Sequence, residues 1–148
     1  MHKTVVLPTW RESPSDELDE PNDAYATITQ HDTHRRVVFS GGLAVEGDLT
    51  EQVQTILERR RRALHDFGGS MDDVVLTRYF VRDDHLSRET QAAIHEVREK
   101  FFEHPHYPAS TMVGAGSLLV EDALVEIEVE AEIPNEAWDV DVLTEEDV

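Results

Sequence analysis

Between Leu124 and Ile133 the chain reads LVEIEVEAEI, so that Glu126, Glu128, Glu130 and Glu132 recur at every second position. A period of two places these carboxylates on one face of a strand and Val125, Ile127, Val129, Ala131 and Ile133 on the other. Like charges in a row repel one another, and if a second subunit covered this face at least one carboxylate would lose water and have its pKa raised. A buried carboxylate tuned in this way is what a general base for water needs. The same pattern also describes the outward face of an antiparallel sheet in an acidic protein, where polar positions fall to glutamate.

Other chemistries find no support. The chain has no cysteine, which excludes disulfides, thiolate metal sites and a thiol nucleophile. His95-Glu96 lacks the cysteine pair that a zinc deaminase of the H-x-E type requires, and His104-Pro-His106 lacks a third ligand and reads as two surface imidazoles, so no metal is expected. No G-x-S-x-G elbow is present, and Gly41-Gly42 is not followed by a G-x-x-x-x-G-K pattern. Hydrolase triads and nucleotide folds therefore drop out. Gly41-Gly42 itself follows an apolar strand and fits either a strand-end bulge or a close approach to a ligand.

The 148 residues suit one domain, expected over 1–134 with a polar loop at about 11–24 and an acidic tail over 135–148. The 32 acidic residues against 13 basic ones give a net charge of −19. Such a field repels nucleic acid and anionic membranes, so neither is expected as a partner. The acids are spread along the chain and apolar residues make up 39 %, which reads as a fold whose surface is adapted to high salt. No apolar run reaches signal-peptide or membrane-helix length. A cytoplasmic protein is the expectation.

The elements that must carry the glutamate row follow from local pattern. Thr4 to Leu7 reads as an edge strand, Arg11 to Asn22 as a loop, and Tyr25–Gln30 with Arg35–Ser40 as a hairpin about the turn at His31 to His34. Asp48 with Glu51 forms a capping box for a helix that Gly68-Gly69 stops, with Val53, Ile56, Leu57, Leu64 and Phe67 as its core face. The run Arg59 to Arg62 winds around that helix and reads as a solvated face. Val74 to Val81 is a buried strand, Ser87 to His104 a second helix, and Ser110 to Ala115 another strand. Trp138 is the only large anchor in a tail that packs loosely. The order β, β, β, α, β, α, β, β is α+β: one mostly antiparallel sheet with two helices on one face.

Ser40-Gly41 after a strand, the helix ending at Gly68-Gly69, Met71-Asp-Asp-Val-Val leading to Tyr79-Phe-Val-Arg-Asp83, Phe101-Phe102, Pro108-Ala-Ser-Thr111 and Val125-Glu-Ile-Glu128 occur in an order and spacing that resembles the Rid family, the YjgF-like reactive intermediate deaminases. The likeness spans Tyr25 to Ile133. It implies a chorismate-mutase-like fold in which three subunits pack their sheets into a central barrel with clefts at their boundaries. Deaminase members hydrolyse short-lived enamines and imines without cofactor or metal. An arginine in a Pro-Ala-Arg-Ser motif clamps the substrate carboxylate, to which a guanidinium is matched by two parallel charge-assisted hydrogen bonds.

Here that position is Ser110, so the resemblance implies that amino-acid-derived imines are poor substrates. Carried over position by position, Glu126 aligns with the glutamate that positions or activates water. Tyr25, Ser40, Gly41 and Met112 align with cleft-lining positions, and His95 falls where an asparagine is common. Arg78 stands where a small residue is usual and reads as a surface pairing. The expected activity is hydrolysis of a non-carboxylate imine, enamine or related small metabolite in an inter-subunit cleft of a homotrimer. The alternative is a non-enzymatic trimer that binds a small metabolite or a partner protein in that cleft.

Overall fold

The computed structural model describes residues 1–8 and 23–148. The loop expected over 11–22 lies outside the described residues. Among the described residues seven strands form one sheet: β1 (Lys3–Val6), β2 (Ala26–Gln30), β3 (His34–Phe39), β4 (Gly42–Leu43), β5 (Val74–Arg82), β6 (Ala109–Ala115) and β7 (Val125–Pro134). The spatial order is β1-β2-β3-β7-β5-β6, with β4 also pairing with β7. All pairs are antiparallel except β5 with β6. Helices α1 (Leu49–Asp66) and α2 (Arg88–Arg98) connect the strands.

The alternation of β7 decides which face is core. Val125, Ile127, Val129, Ala131 and Ile133 are at most 4 % exposed, while the glutamates between them are half-buried on the opposite face. The apolar residues join Val37, Phe39, Tyr79 and Val81 of the neighbouring strands, and Val53, Ile56, Leu57 and Leu64 of α1 and Ile94 and Val97 of α2 close over them. Helices therefore cover one face of the sheet and leave the glutamate face open.

Helix α1 begins as its sequence requires. Asp48 accepts from the Glu51 N–H at 2.9 Å, and the Glu51 carboxylate accepts from the Asp48 N–H at 3.3 Å. Gly68, at φ +83°, takes the left-handed turn beyond the helix end. Gln52 is fully buried and satisfies three main-chain groups, accepting from Leu124 N–H at 2.8 Å and donating to Asp122 at 3.0 Å and Gly47 at 3.3 Å.

Three expectations need correction. The second helix stops at Arg98 rather than His104. Phe101 and Phe102, both buried, follow in a turn in which their two N–H groups donate to the Arg98 carbonyl at 2.9 and 3.0 Å. The two-residue strand β4, formed by Gly42 and Leu43 against Ile127 and Glu126, was not expected. The arginine run of α1 is not a solvated face throughout, because Arg60 is only 4 % exposed. In the tail, the Trp138 indole N–H donates to Asp73 at 2.8 Å, and the residues after it are exposed.

Replacing Gln52 with leucine leaves one buried N–H and its carbonyl partners unpaired inside a tight joint between α1 and β7. Such a loss costs about 2–3 kcal/mol. Thermal melting of Gln52→Leu is expected to fall by roughly 5–10 °C.

Candidate functional site

The sheet register builds the site. Four residues align across four neighbouring strands of the open face: Leu43 on β4, Glu126 on β7, Phe80 on β5 and Val113 on β6. Glu126 is thus the one carboxyl group in an otherwise apolar row. The next row holds Glu128, Arg78 and Thr111, and its charges are paired: Arg78 donates to Glu128 at 3.0 Å and to Glu130 at 3.3 Å, and Arg36 to Glu130 at 2.5 Å. Arg78 is therefore a pairing on the open sheet face.

Glu126 forms no ion pair among the described residues. Desolvation beside Leu43 and Phe80 raises its pKa above the ordinary carboxyl value, and the neighbouring Glu128 carboxylate raises it further. Its side chain lies against Gly41: a Cβ at position 41 would stand 2.0 Å from Glu126 Oε1. The missing side chain is what allows the main chain and the carboxylate to approach each other.

Behind Gly41 the wall is tied by Ser40. Its N–H donates to Tyr25 C=O at 3.0 Å, its hydroxyl to Ala24 C=O at 2.6 Å, and its own carbonyl accepts from Arg60 Nη2 at 2.9 Å. The Tyr25 ring packs edge-on against Phe39 at 5.8 Å, and the Arg60 guanidinium lies 5.0 Å from the Tyr25 centroid and 4.8 Å from that of Phe39. Each such cation–π contact is worth about 0.5–2 kcal/mol. Tyr25, Ser40, Gly41 and Glu126 are thus linked within one chain.

The remaining candidates lie elsewhere. Ser110 and Met112 stand on the edge strand β6 in register with Thr77 and Tyr79, whose side chains are buried beneath the helices, and Met112 packs on that core. They occupy the helix side of the sheet, opposite to Glu126. His95 is an exposed residue of α2, 3.6 Å from Glu99 at the end of that helix. Among the described residues, one surface depression of about 350 Å³ lies between β1, Tyr25 and α1 and another between the start of α1 and α2, and Glu126 lines neither of these. Among the described residues no three His, Asp or Glu side chains converge as a metal site requires. No helix is long and apolar enough to cross a membrane among them.

Arg60 interrupts the core face of α1 in the sequence, but its part in the site is what sequence reasoning missed. Its signal was its position: it falls within the apolar stripe of α1, where a charged side chain must either point away or find partners inside.

Because the folded-state pKa of Glu126 lies above its ordinary 4.5, folding favours the protonated form. Its carboxylate therefore burdens the native state above that folded value, and the burden disappears as pH falls below the ordinary 4.5. The Glu126→Gln variant is expected to melt higher than the parent at neutral pH and at the same temperature at about pH 4, as checked by thermal denaturation across pH.

A sequence profile of the family described as endoribonuclease L-PSP matches residues 17–133. No curated protein matches the chain in sequence. Among solved structures, the fold is similar to that of a Mycobacterium tuberculosis member of the YjgF/YER057c/UK114 family, with a TM-score of 0.70 and 25 % identity over 89 % of this chain and 100 % of that one. It is likewise similar in fold to YyfA of the Rid family from Yersinia pestis, with a TM-score of 0.68 and 21 % identity over 89 % of this chain and 100 % of that one. RidA from an Antarctic Psychrobacter gives a TM-score of 0.63 at 23 % identity, over 76 % of this chain and 89 % of that one. With a profile match over most of its length and the sheet and helices of these structures, the chain belongs to the endoribonuclease L-PSP family, the Rid/YjgF-like proteins.

Proposed function

We propose that this protein is a Rid-type hydrolase of a small neutral imine, enamine or related compound, with Glu126 as the general base that activates water. The observation that carries this reading is the state of Glu126: unpaired, set in an apolar row, pressed against Gly41 and shifted toward protonation. In the reaction, water loses a proton to the carboxylate as its oxygen bonds to the C=N carbon, and the nitrogen takes up a proton. Collapse of the resulting carbinolamine releases ammonia and the carbonyl product and returns Glu126 to its ionised form.

The surroundings favour an uncharged substrate. Leu43, Phe80 and Val113 offer apolar surface beside Glu126. The position where a guanidinium would clamp a carboxylate is Ser110, whose hydroxyl carries no charge. The net charge of −19 and the open face of glutamates disfavour an RNA backbone as substrate, despite the family's description. No cofactor or metal enters this scheme, and the compartment consistent with it is the cytoplasm.

The split between the two faces supports a shared site. Glu126 and Gly41 lie on one side of the sheet and Ser110 and Met112 on the other side of its edge strand, so a closed cleft calls for a second subunit. We take the assembly to be a homotrimer, about three times the 16.9 kDa of the chain by light scattering in high salt. A stable monomer would contradict the shared cleft.

The test is ammonia release in high salt from a neutral imine and from freshly generated 2-aminoacrylate, for the parent, Ser110→Arg and Glu126→Gln. The parent is expected to prefer the neutral imine, and Ser110→Arg to improve on 2-aminoacrylate by roughly a hundredfold. Glu126→Gln is expected to lose at least about a hundredfold on both. Inactivity of the parent and Ser110→Arg alike would replace the hydrolase with a metabolite-binding assembly.

A further inference from the structure

Arg60 is the only buried basic residue among the described ones, and no carboxylate lies within ion-pair distance of it there. Its Nε has no hydrogen-bond partner. An apolar side chain would fill this place on the core stripe of α1 without the cost of desolvating a cation. Burial does lower its pKa, although a guanidinium stays protonated.

The hydrogen bonds indicate what the charge holds. Arg60 Nη2 donates to the Ser40 carbonyl at 2.9 Å, and its predecessor Arg59 donates through Nη1 to the Leu43 carbonyl at 3.0 Å. Two consecutive arginines thus grip both ends of Ser40–Leu43, the segment whose Gly41 touches Glu126 and whose Leu43 stands opposite Glu126 in β4. Absent side chains permit this from both sides, since a Cβ at Gly42 would lie 2.6 Å from Arg60 Nη2 and one at Gly41 2.0 Å from Glu126 Oε1. In a trans peptide the carbonyl and N–H point in opposite directions. A charge-assisted bond to the Ser40 carbonyl therefore polarises the Gly41 N–H on the opposite edge of the same peptide.

We propose that Arg60, aided by Arg59, is a positioning residue that fixes the Ser40–Leu43 wall beside Glu126 and polarises the Ser40–Gly41 peptide. It supplies from behind the wall part of the electrophilic character that Ser110 lacks. Its role in turnover rests on the proposed hydrolase reading; its grip on the wall does not.

The test uses the full chain and compares Arg60→Met, of similar length without charge, with Arg60→Lys. Amide hydrogen exchange and the Gly41 amide NMR signal are read in both. In Arg60→Met, exchange is expected to rise roughly tenfold at residues 40–43 relative to the rest of the sheet, with an upfield move of the Gly41 amide proton. Ammonia release from the neutral imine falls by a similar factor. Arg60→Lys restores the amide signal and most of the activity. Unchanged Gly41 signal and exchange in Arg60→Met, or a rise spread evenly over the core, would overturn the inference. If Arg60→Met does not fold, Arg59→Met tests the same grip, with exchange expected to rise at Ala44 and not at α2. These amide measurements need no substrate, so an inactive parent protein would refute the hydrolase reading alone.

Discussion

Much of this structure depends on the strict alternation of β7. Val125, Ile127, Val129, Ala131 and Ile133 must all meet the helices, and with a period of two the four glutamates must all face away. Since β7 lies between β3 and β5 and also receives β4, its register sets what each glutamate finds beside it. Glu128 and Glu130 find arginines, whereas Glu126 finds Leu43 and Phe80. A shift of one residue would turn the glutamates into the core. The chemical difference among four identical side chains therefore comes from their cross-strand neighbours.

The second constraint is the contact between Gly41 and Glu126. A two-residue strand is a small element, yet β4 brings the Ser40–Leu43 segment alongside the start of β7. Tyr25 and Ser40 hold it from the β2–β3 hairpin, and Arg59 and Arg60 hold it from α1. The hairpin, α1 and β7 thus converge on one short segment. Its main chain gives the acid residue a rigid neighbour, which is the kind of support that keeps a reactive group in one geometry.

The strong periodicities were legible in the sequence because they are local. The capping box of Asp48 and Glu51, the glycine stop at Gly68 and the glutamate row each follow from spacing alone. The end of α2 was not legible, because the apolar spacing of Ile94 and Val97 continues past Arg98 to the buried Phe101. Arg60 was misread for a similar reason: within a run of four arginines the one that turns inward is set by Tyr25, Phe39 and the Ser40 carbonyl, which are distant in sequence. Glu126 stood out only through the family resemblance, since the alternation gives four equivalent candidates. The structure separates them by their neighbours, and it leaves Ser110, Met112 and His95 away from Glu126 within a single chain.

The central claim is that Glu126 differs electrostatically from the other glutamates of its row. Site-resolved titration of the side-chain carboxyls by ¹³C NMR tests it most directly, with Glu126 assigned by its loss in Glu126→Gln. Glu126 is expected to titrate above the ordinary 4.5. Titration of Glu126 at or below 4.5 would contradict that claim.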